Sequence, residues 1–274
     1  VKDGEKLSLG NCELAFYETR MLHWPDSMIS WLGEENLLFS QDAFGMHLAS
    51  SGRFDDEIDT AVLDEESATY FANILLPYAA LIGKTLDKVG AMGWDVKYVA
   101  PDHGPIWRKG IGRIIEQYRR WGEQKKTRKA VVVYATMWHS TERMALAVAE
   151  GLASRGVDVR LLSMAENHRS DVAREILEAG ALVAGSPTLN NNLFPSMADV
   201  LTYLKGLRPR NLVGAAFGSF GWSGESVRQV EEILKEMKVE LVSEGIAVKH
   251  VPGVEVLQAC YEMGRKVAGK LAEK

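Results

Sequence analysis

Three segments in the first half of the chain end apolar runs on residues that can ligate a metal. Met21-Leu22-His23-Trp24-Pro25-Asp26-Ser27-Met28 sets a histidine between a strand-like stretch and a proline-marked turn, while Ser40-Gln41-Asp42-Ala43-Phe44-Gly45 and Pro101-Asp102-His103-Gly104-Pro105 each follow an apolar run directly. Two imidazoles and a carboxylate at strand ends suit a borderline metal such as zinc or iron. The same residue types also make plain turns, in which histidine is a hydrogen-bonding partner and aspartate beside proline a turn former. On residue types alone both readings stand. Asp26 and Asp102 are candidates for orienting the neighbouring imidazoles. His47, His168 and His250 lack comparable settings and read as surface or structural residues.

The second half carries a different chemistry. Thr136-Met137-Trp138-His139-Ser140-Thr141 follows the apolar run Ala130–Ala135 and opens a helical pattern. A buried strand that runs through a hydroxyl-rich turn into a helix presents free backbone N–H groups and a favourable dipole to an anion such as phosphate. Two more loops follow apolar runs further on. Ser186, Pro187, Thr188, Asn190 and Asn191 offer amides and backbone to the polar edge of a ring. Ser219, Phe220, Gly221, Trp222 and Gly224 place an aromatic that can stack among glycines that permit close backbone approach. Singly, each loop also reads as a cap, a turn or packing. Their succession at the ends of the first, third and fourth strands of one sheet points to flavin mononucleotide, with Thr136, Ser140 and Thr141 and the backbone of Met137, Trp138 and His139 at the phosphate. No Walker pattern competes.

The elements that must position these groups follow from apolar periodicity. Strands are expected at 129–135, 157–162, 181–185, 211–217 and 246–250. Helices are expected between and after them at 141–155, 170–179, 195–205, 224–238 and 254–272, with Ser170 as an N-cap and Pro195 as a first helical residue. Five strand–helix pairs make a doubly wound parallel sheet. The first half is less regular, with strand-like stretches near 12–18, 29–33, 36–40 and 96–100 and helical patterns near 65–89 and 110–123, which implies α/β with mixed pairing. The polar stretch 122–128 is the natural linker, giving domains at 1–126 and 127–274.

Bulk properties narrow the function classes. The 274 residues, 46% hydrophobic, suffice for two cores, and a net charge of −5 offers no basic field for nucleic acid. No apolar run reaches the roughly 18 residues of a membrane span, so a cytoplasmic protein without membrane or nucleic-acid partners is expected. Cys12 and Cys260 form no C-x-x-C pair, so a metal here must use histidine and carboxylate. Lys2-Asp3-Gly4-Glu5 reads as a turn between strands rather than a domain start, and an upstream piece is expected.

Taken together, MLHWPDSM, the Asp42–Gly45 segment, PDHGPIWR and GSFGWSGE resemble the flavodiiron proteins over essentially the whole chain. The resemblance implies a partial metallo-β-lactamase-like αββα domain followed by a flavodoxin-like domain. It implies that His23 ligates one iron, Asp42 bridges two non-haem irons and His103 ligates the other. It also implies that FMN passes electrons to this pair for reduction of dioxygen to water or nitric oxide to nitrous oxide. The family's upstream H-x-E-x-D-H segment does not occur here, so the remaining ligands are expected outside this chain, on a missing N-terminal segment or a companion chain. An external electron donor such as rubredoxin and a head-to-tail homo-oligomer are further implications. Two other functions remain open on the residues themselves: an FMN electron-carrier module with a non-catalytic metal region, and a zinc hydrolase with an appended flavodoxin domain.

Overall fold

A computed structural model describes residues 1–273. The chain falls into two compact units, Val1–Glu123 and a second that starts at Gln124. Gln124 belongs with the second because its side-chain oxygen accepts from Arg210 N–H and its carbonyl from Asn211 Nδ2, each at 2.8 Å.

The first unit is built on one sheet in the order β1(Lys6–Ser8), β2(Glu13–Glu18), β3(Met28–Leu32), β4(Leu37–Gln41), β5(Tyr98–Pro101). The first four strands pair antiparallel as a meander, and β5 joins β4 in parallel. A parallel neighbour requires a long crossover, which contains α1(Thr60–Tyr70) and α2(Ala79–Gly90); α3(Ile111–Glu123) follows β5. The single helical pattern expected near 65–89 is in fact broken. A π-helical turn at Phe71–Leu75 and a 3-10 turn at Leu76–Tyr78 separate α1 from α2. Pro77 has no N–H to continue the helix and crowds the preceding turn, which explains the break. This unit is α/β with a mixed sheet, as the sequence pattern implies.

In the second unit β6(Lys129–Tyr134), β7(Asp158–Ser163), β8(Ala181–Gly185) and β11(Val213–Phe220) lie parallel in the order β11-β8-β6-β7. The residues of β6 after Lys129 and all of β8 are buried, as a strand covered on both faces must be. The helices α4(Ser140–Ala153), α5(Arg169–Ile176), α6(Pro195–Leu207), α7(Glu225–Glu236) and α8(Val254–Ala272) provide that cover. β12(Glu240–Leu241) and β13(Ile246–Lys249) both pair in parallel with β11, so the fifth strand is laid down in two pieces. The order is flavodoxin-like. Pro195 does open α6. Ser170, however, is not a cap. The helix starts one residue earlier, and His168 caps it with its imidazole while Asp171 reaches back to the His168 N–H at 2.9 Å. Among the described residues no helix is long and apolar enough to cross a membrane.

The two cysteines lie in contrasting settings. Cys260 is wholly buried in α8, and burial pushes its thiol up to about 12, whereas Cys12 is only half-buried. An alkylating reagent at roughly pH 8 should therefore modify Cys12 alone in the native protein and both after denaturation, countable by mass spectrometry. Rapid double labelling of the folded chain would show that α8 does not seal its cysteine.

Candidate functional site

His23, Asp42 and His103 meet at one end of the first sheet. Asp42 Oδ2 lies 3.3 Å from His23 Nε2, and Asp42 Oδ1 lies 3.3 Å from His103 Nε2, so each carboxylate oxygen faces one imidazole. Local structure aims each group. The β4–β5 register shifts between Phe39 and Gln41, and Gln41 adopts a left-handed φ of 57°, a bulge that turns the chain and points Asp42 off the strand end. Asp102 N–H donates to Gln41 O at 2.9 Å and brings the His103 loop alongside. His23 sits in a tight loop closed by the buried Ser27, whose hydroxyl accepts from Trp24 N–H at 2.9 Å and whose carbonyl accepts from Thr19 N–H at 2.8 Å.

Phe44 clamps the Asp42 loop to the core. Its N–H donates to Tyr118 Oη at 3.0 Å, and its carbonyl accepts from Trp107 Nε1 at 2.8 Å. Both aromatics are buried. Burial drives the Tyr118 hydroxyl far above its ordinary range. Tyr70 is raised as well, first by burial and then by the Asp42 carboxylate beside it, so both phenols stay protonated.

The second cluster lies in the other unit. A cleft of about 450 Å³ opens at the C-terminal ends of β6, β8 and β11 and is lined from the three loops by Met137, Trp138, Ser140, Pro187, Thr188, Asn190, Ser219, Phe220, Gly221 and Trp222. Trp138 and Trp222 stand 86% and 81% exposed at its mouth. The asparagine loop is a tight hairpin between β9(Thr188–Leu189) and β10(Asn192–Leu193), with Asn190 and Asn191 both at positive φ. Asn tolerates that conformation better than most residues.

Comparison with known proteins decides what these two clusters belong to. Residues 132–264 match the family model described as flavodoxin. Over 274 residues the chain is 49% identical to the nitric oxide reductase of Moorella thermoacetica, covering all of this chain and 69% of that protein. The structure of rubredoxin oxygen:oxidoreductase from Desulfovibrio gigas aligns with a TM-score of 0.96 at 43% identity, over 99% of this chain and 68% of that one. The flavodiiron protein of Giardia intestinalis aligns at 0.93 and 36%, over 99% and 67%. The chain belongs to the flavodiiron protein family.

Does this flavodiiron chain have residues that fit the family's two groups? At the metal end the donor set suits a cation. His103 Nδ1 lies 3.3 Å from Met46 O. A carbonyl can only accept, so Nδ1 is the donor in that contact and Nε2 is the nitrogen left facing Asp42. An imidazole nitrogen 3.3 Å from a carboxylate oxygen is an arrangement that a metal ion or a shared proton can bridge. Gly45 keeps the space open, because a Cβ there would stand 2.8 Å from His103 O and 2.9 Å from its Nδ1. Among the described residues no three His, Cys, Asp or Glu side chains converge as a shell for one ion. What this chain provides is one carboxylate with an imidazole at each of its oxygens. At the flavin end, Thr136 Oγ1 is buried without a partner in the phosphate-type loop, and the cleft is walled by aromatic and backbone groups. Both sites fit.

Not every residue singled out from sequence lines its site. Thr141 is buried, and its hydroxyl meets Ser219 Oγ at 2.9 Å, bracing the first loop against the third. Ser186 is buried too; its hydroxyl bonds Pro187 O at 2.9 Å and accepts from Phe194 N–H at 2.8 Å. Asn191 accepts from Ser223 Oγ at 3.2 Å, Gly224 caps α7, and His139, at a left-handed φ of 63°, pairs with Glu142 at 2.6 Å. These five are positioned to hold the loops in shape. Asp26 and Asp102 are exposed, and neither carboxylate hydrogen-bonds an imidazole among the described residues. The His103 ring is oriented by Met46 O instead. His47, read as a surface or structural residue, has its ring 5.1 Å from those of His103 and Tyr70. Leu189, His250 and Val251 also line the flavin cleft. His250 follows β13 by one residue, and only the placement of that strand beside β11 brings it to the cleft.

Proposed function

We propose that this flavodiiron oxidoreductase passes electrons from FMN in the second unit to an iron pair held by His23, Asp42 and His103, reducing dioxygen to water, nitric oxide to nitrous oxide, or both. The observation that carries the reading is the Asp42 carboxylate with one imidazole at each oxygen. One residue can then serve two metals, which a hydrogen-bonding turn has no need of. When bound, the flavin supplies electrons and the iron pair supplies the place where the gas is reduced.

This chain's residues position both groups. The Met46 carbonyl fixes the His103 tautomer, leaving Nε2 as the ligating nitrogen. Tyr70, kept protonated beside Asp42, holds a proton at its Oη next to the site. In the second unit, the first-turn N–H groups of α4 with the Thr136 and Ser140 hydroxyls take the phosphate, the 186–191 loop meets the polar edge of the ring, and Trp222 gives the ring a face to stack on. Replacing Trp222 with alanine should raise the FMN dissociation constant roughly three- to tenfold, the worth of one aromatic stacking contact. Unchanged FMN affinity in a fluorescence titration would remove Trp222 from the ring's surroundings.

Further ligands and partners follow from what the three side chains leave open. Two protein donors per ion fall short of the three that catalytic centres commonly use. We assign the remaining donors to a segment or companion chain outside these residues. The sheet face bearing Leu7, Phe39 and Tyr98, exposed by 51%, 39% and 38%, suits the second sheet of the αββα sandwich on such a segment. The exposed tryptophans with Val251 at the flavin cleft suit a second copy packed head to tail. The electron donor is a redox partner of the rubredoxin kind, a reading supported by the relative named for rubredoxin and oxygen. Mixing the flavin- and iron-loaded protein with reduced rubredoxin under dioxygen or nitric oxide tests the function. Gas uptake coupled to rubredoxin oxidation is expected, and donor oxidation without uptake of either gas would overturn it.

A further inference from the structure

We propose that His250 tunes the flavin: its imidazole donates to the polar edge of the FMN ring and favours the reduced, negatively charged form. The inference rests on the reading of this cleft as the FMN site, and it concerns a residue whose sequence setting reads as surface or structural. His250 follows β13 directly and lines the cleft together with Val251. Phe220 of β11 pairs with Lys249 of β13, so the next step along both chains sets His250 beside Gly221, one residue from Trp222. The His250 N–H holds it there by donating to Phe220 O at 2.8 Å. In the order β13-β11-β8-β6 the strand that leads to His250 lies three positions from the strand that leads to the phosphate-type loop, roughly 14 Å between axes. His250 therefore stands at the ring end of the cleft.

Charge gives this position its weight. Every other side chain that lines the cleft is uncharged, being apolar, aromatic, hydroxyl or amide. The other imidazole in these loops, His139, does not line it and is held by Glu142 at 2.6 Å. The His250 ring, by contrast, has no hydrogen bond, ion pair or ring contact among the described residues. Its backbone holds a left-handed φ of 66°, which glycine adopts more readily, so a turn alone gives no reason for an imidazole here. Two-electron reduction of FMN with uptake of one proton at N5 leaves a negative charge on the polar edge of the ring, and groups near that edge tune its electronics. An imidazole offers an N–H donor in either protonation state and a full positive charge when protonated. Hydrogen bonds to an ionised partner are roughly twice as strong as neutral ones, so the contact favours reduced over oxidised flavin.

The flavin potential reports this contact without iron or gas. The intact, FMN-loaded protein is titrated with dithionite against redox dyes, and FMN affinity is measured in both oxidation states, for the parent and two variants. His250 is exposed, so its replacement leaves the core alone. His250→Gly removes the imidazole and accepts the left-handed φ, whereas His250→Lys keeps a cationic N–H donor. We expect His250→Gly to bind reduced FMN roughly tenfold more weakly with oxidised FMN nearly unchanged, which lowers the two-electron midpoint potential by about 30 mV. His250→Lys should stay at or above the parent's potential. A role in loop shape alone would weaken both oxidation states equally and leave the potential where it was. That result, or a His250→Lys protein that behaves like His250→Gly, would overturn the proposal. A parent protein that takes up no FMN would bring down the functional reading and this inference together, whereas FMN bound at an unchanged potential in His250→Gly strikes only the role of His250.

Discussion

Asp42→Ala is expected to lower dioxygen and nitric oxide reduction by more than roughly hundredfold while FMN stays bound and reducible. Loss of a residue that merely supports a metal ligand typically costs about 10- to 100-fold in affinity or activity, and in the proposed centre Asp42 would ligate both ions. Its two oxygens stand 3.3 Å from His23 Nε2 and His103 Nε2, so one truncation strips a donor from each half of the centre. The loop itself should survive, because its shape depends on the backbone of Phe44, held by Tyr118 and Trp107, and on Ser40, whose hydroxyl bonds Ala43 O. The flavin site lies in another compact unit and shares no residue with this loop. The outcome should therefore be split: iron content and gas reduction fall, whereas the visible flavin absorbance and its bleaching by a reductant persist. Normal turnover by this variant would take Asp42 out of the mechanism.

The second large effect should come from a residue with no side chain. A Cβ on Gly218 would lie 2.0 Å from Ser186 O and 3.1 Å from a Val227 methyl, and the first of these is backbone that cannot swing away. Gly218 sits in β11 two residues before its end at Phe220, where the chain enters the loop of Gly221–Gly224, and Ser186 opens the neighbouring loop at the end of β8. Only glycine permits β11 to pass so close to that carbonyl. Gly218→Ala must push the two loops apart and disturb the bond from Ser186 N–H to Phe217 O, 3.0 Å in the native fold. Overpacking of this kind costs about 1–3 kcal/mol, and more where the contact is rigid. We expect a clearly lowered melting temperature together with loss of FMN on gel filtration. Retention of flavin with native stability would mean that the strands are less tightly apposed than this geometry requires.

How much of this was legible beforehand depends on the range of the interaction involved. β6, β8 and β11 announce themselves through continuous apolar runs, since strands buried on both faces leave no room for polar residues. The loops that end them were legible as well, because chemistry at strand C-termini follows from the doubly wound topology. By contrast β9, β10 and β12 are two residues long and carry no period to detect. The break at Pro77 was visible as a residue but was overridden by the apolar pattern on either side. Ser170 looked like the better cap by residue type, yet His168 takes the position because Asp171 completes a reciprocal pair with its N–H.

At the metal end the three ligand candidates were nameable, but not what aims them. The hydrogen bond from Phe44 to Tyr118 spans 74 residues, and that from Trp107 to Phe44 spans 63. No local pattern encodes such pairs. For the same reason His47, beside His103, and His250, beside the flavin cleft, read from sequence only as surface or structural residues. Each is brought to its site by tertiary packing rather than by its neighbours in sequence.

The most direct test of the central claim is the metal and flavin content of the purified, intact protein, measured by elemental analysis and by the absorbance of released flavin. A shared carboxylate between two imidazoles and a phosphate-type loop with an orphaned hydroxyl predict iron as a diiron centre together with FMN. Zinc in place of iron would point to hydrolysis, flavin without metal would point to a simple electron carrier, and either result would contradict the account.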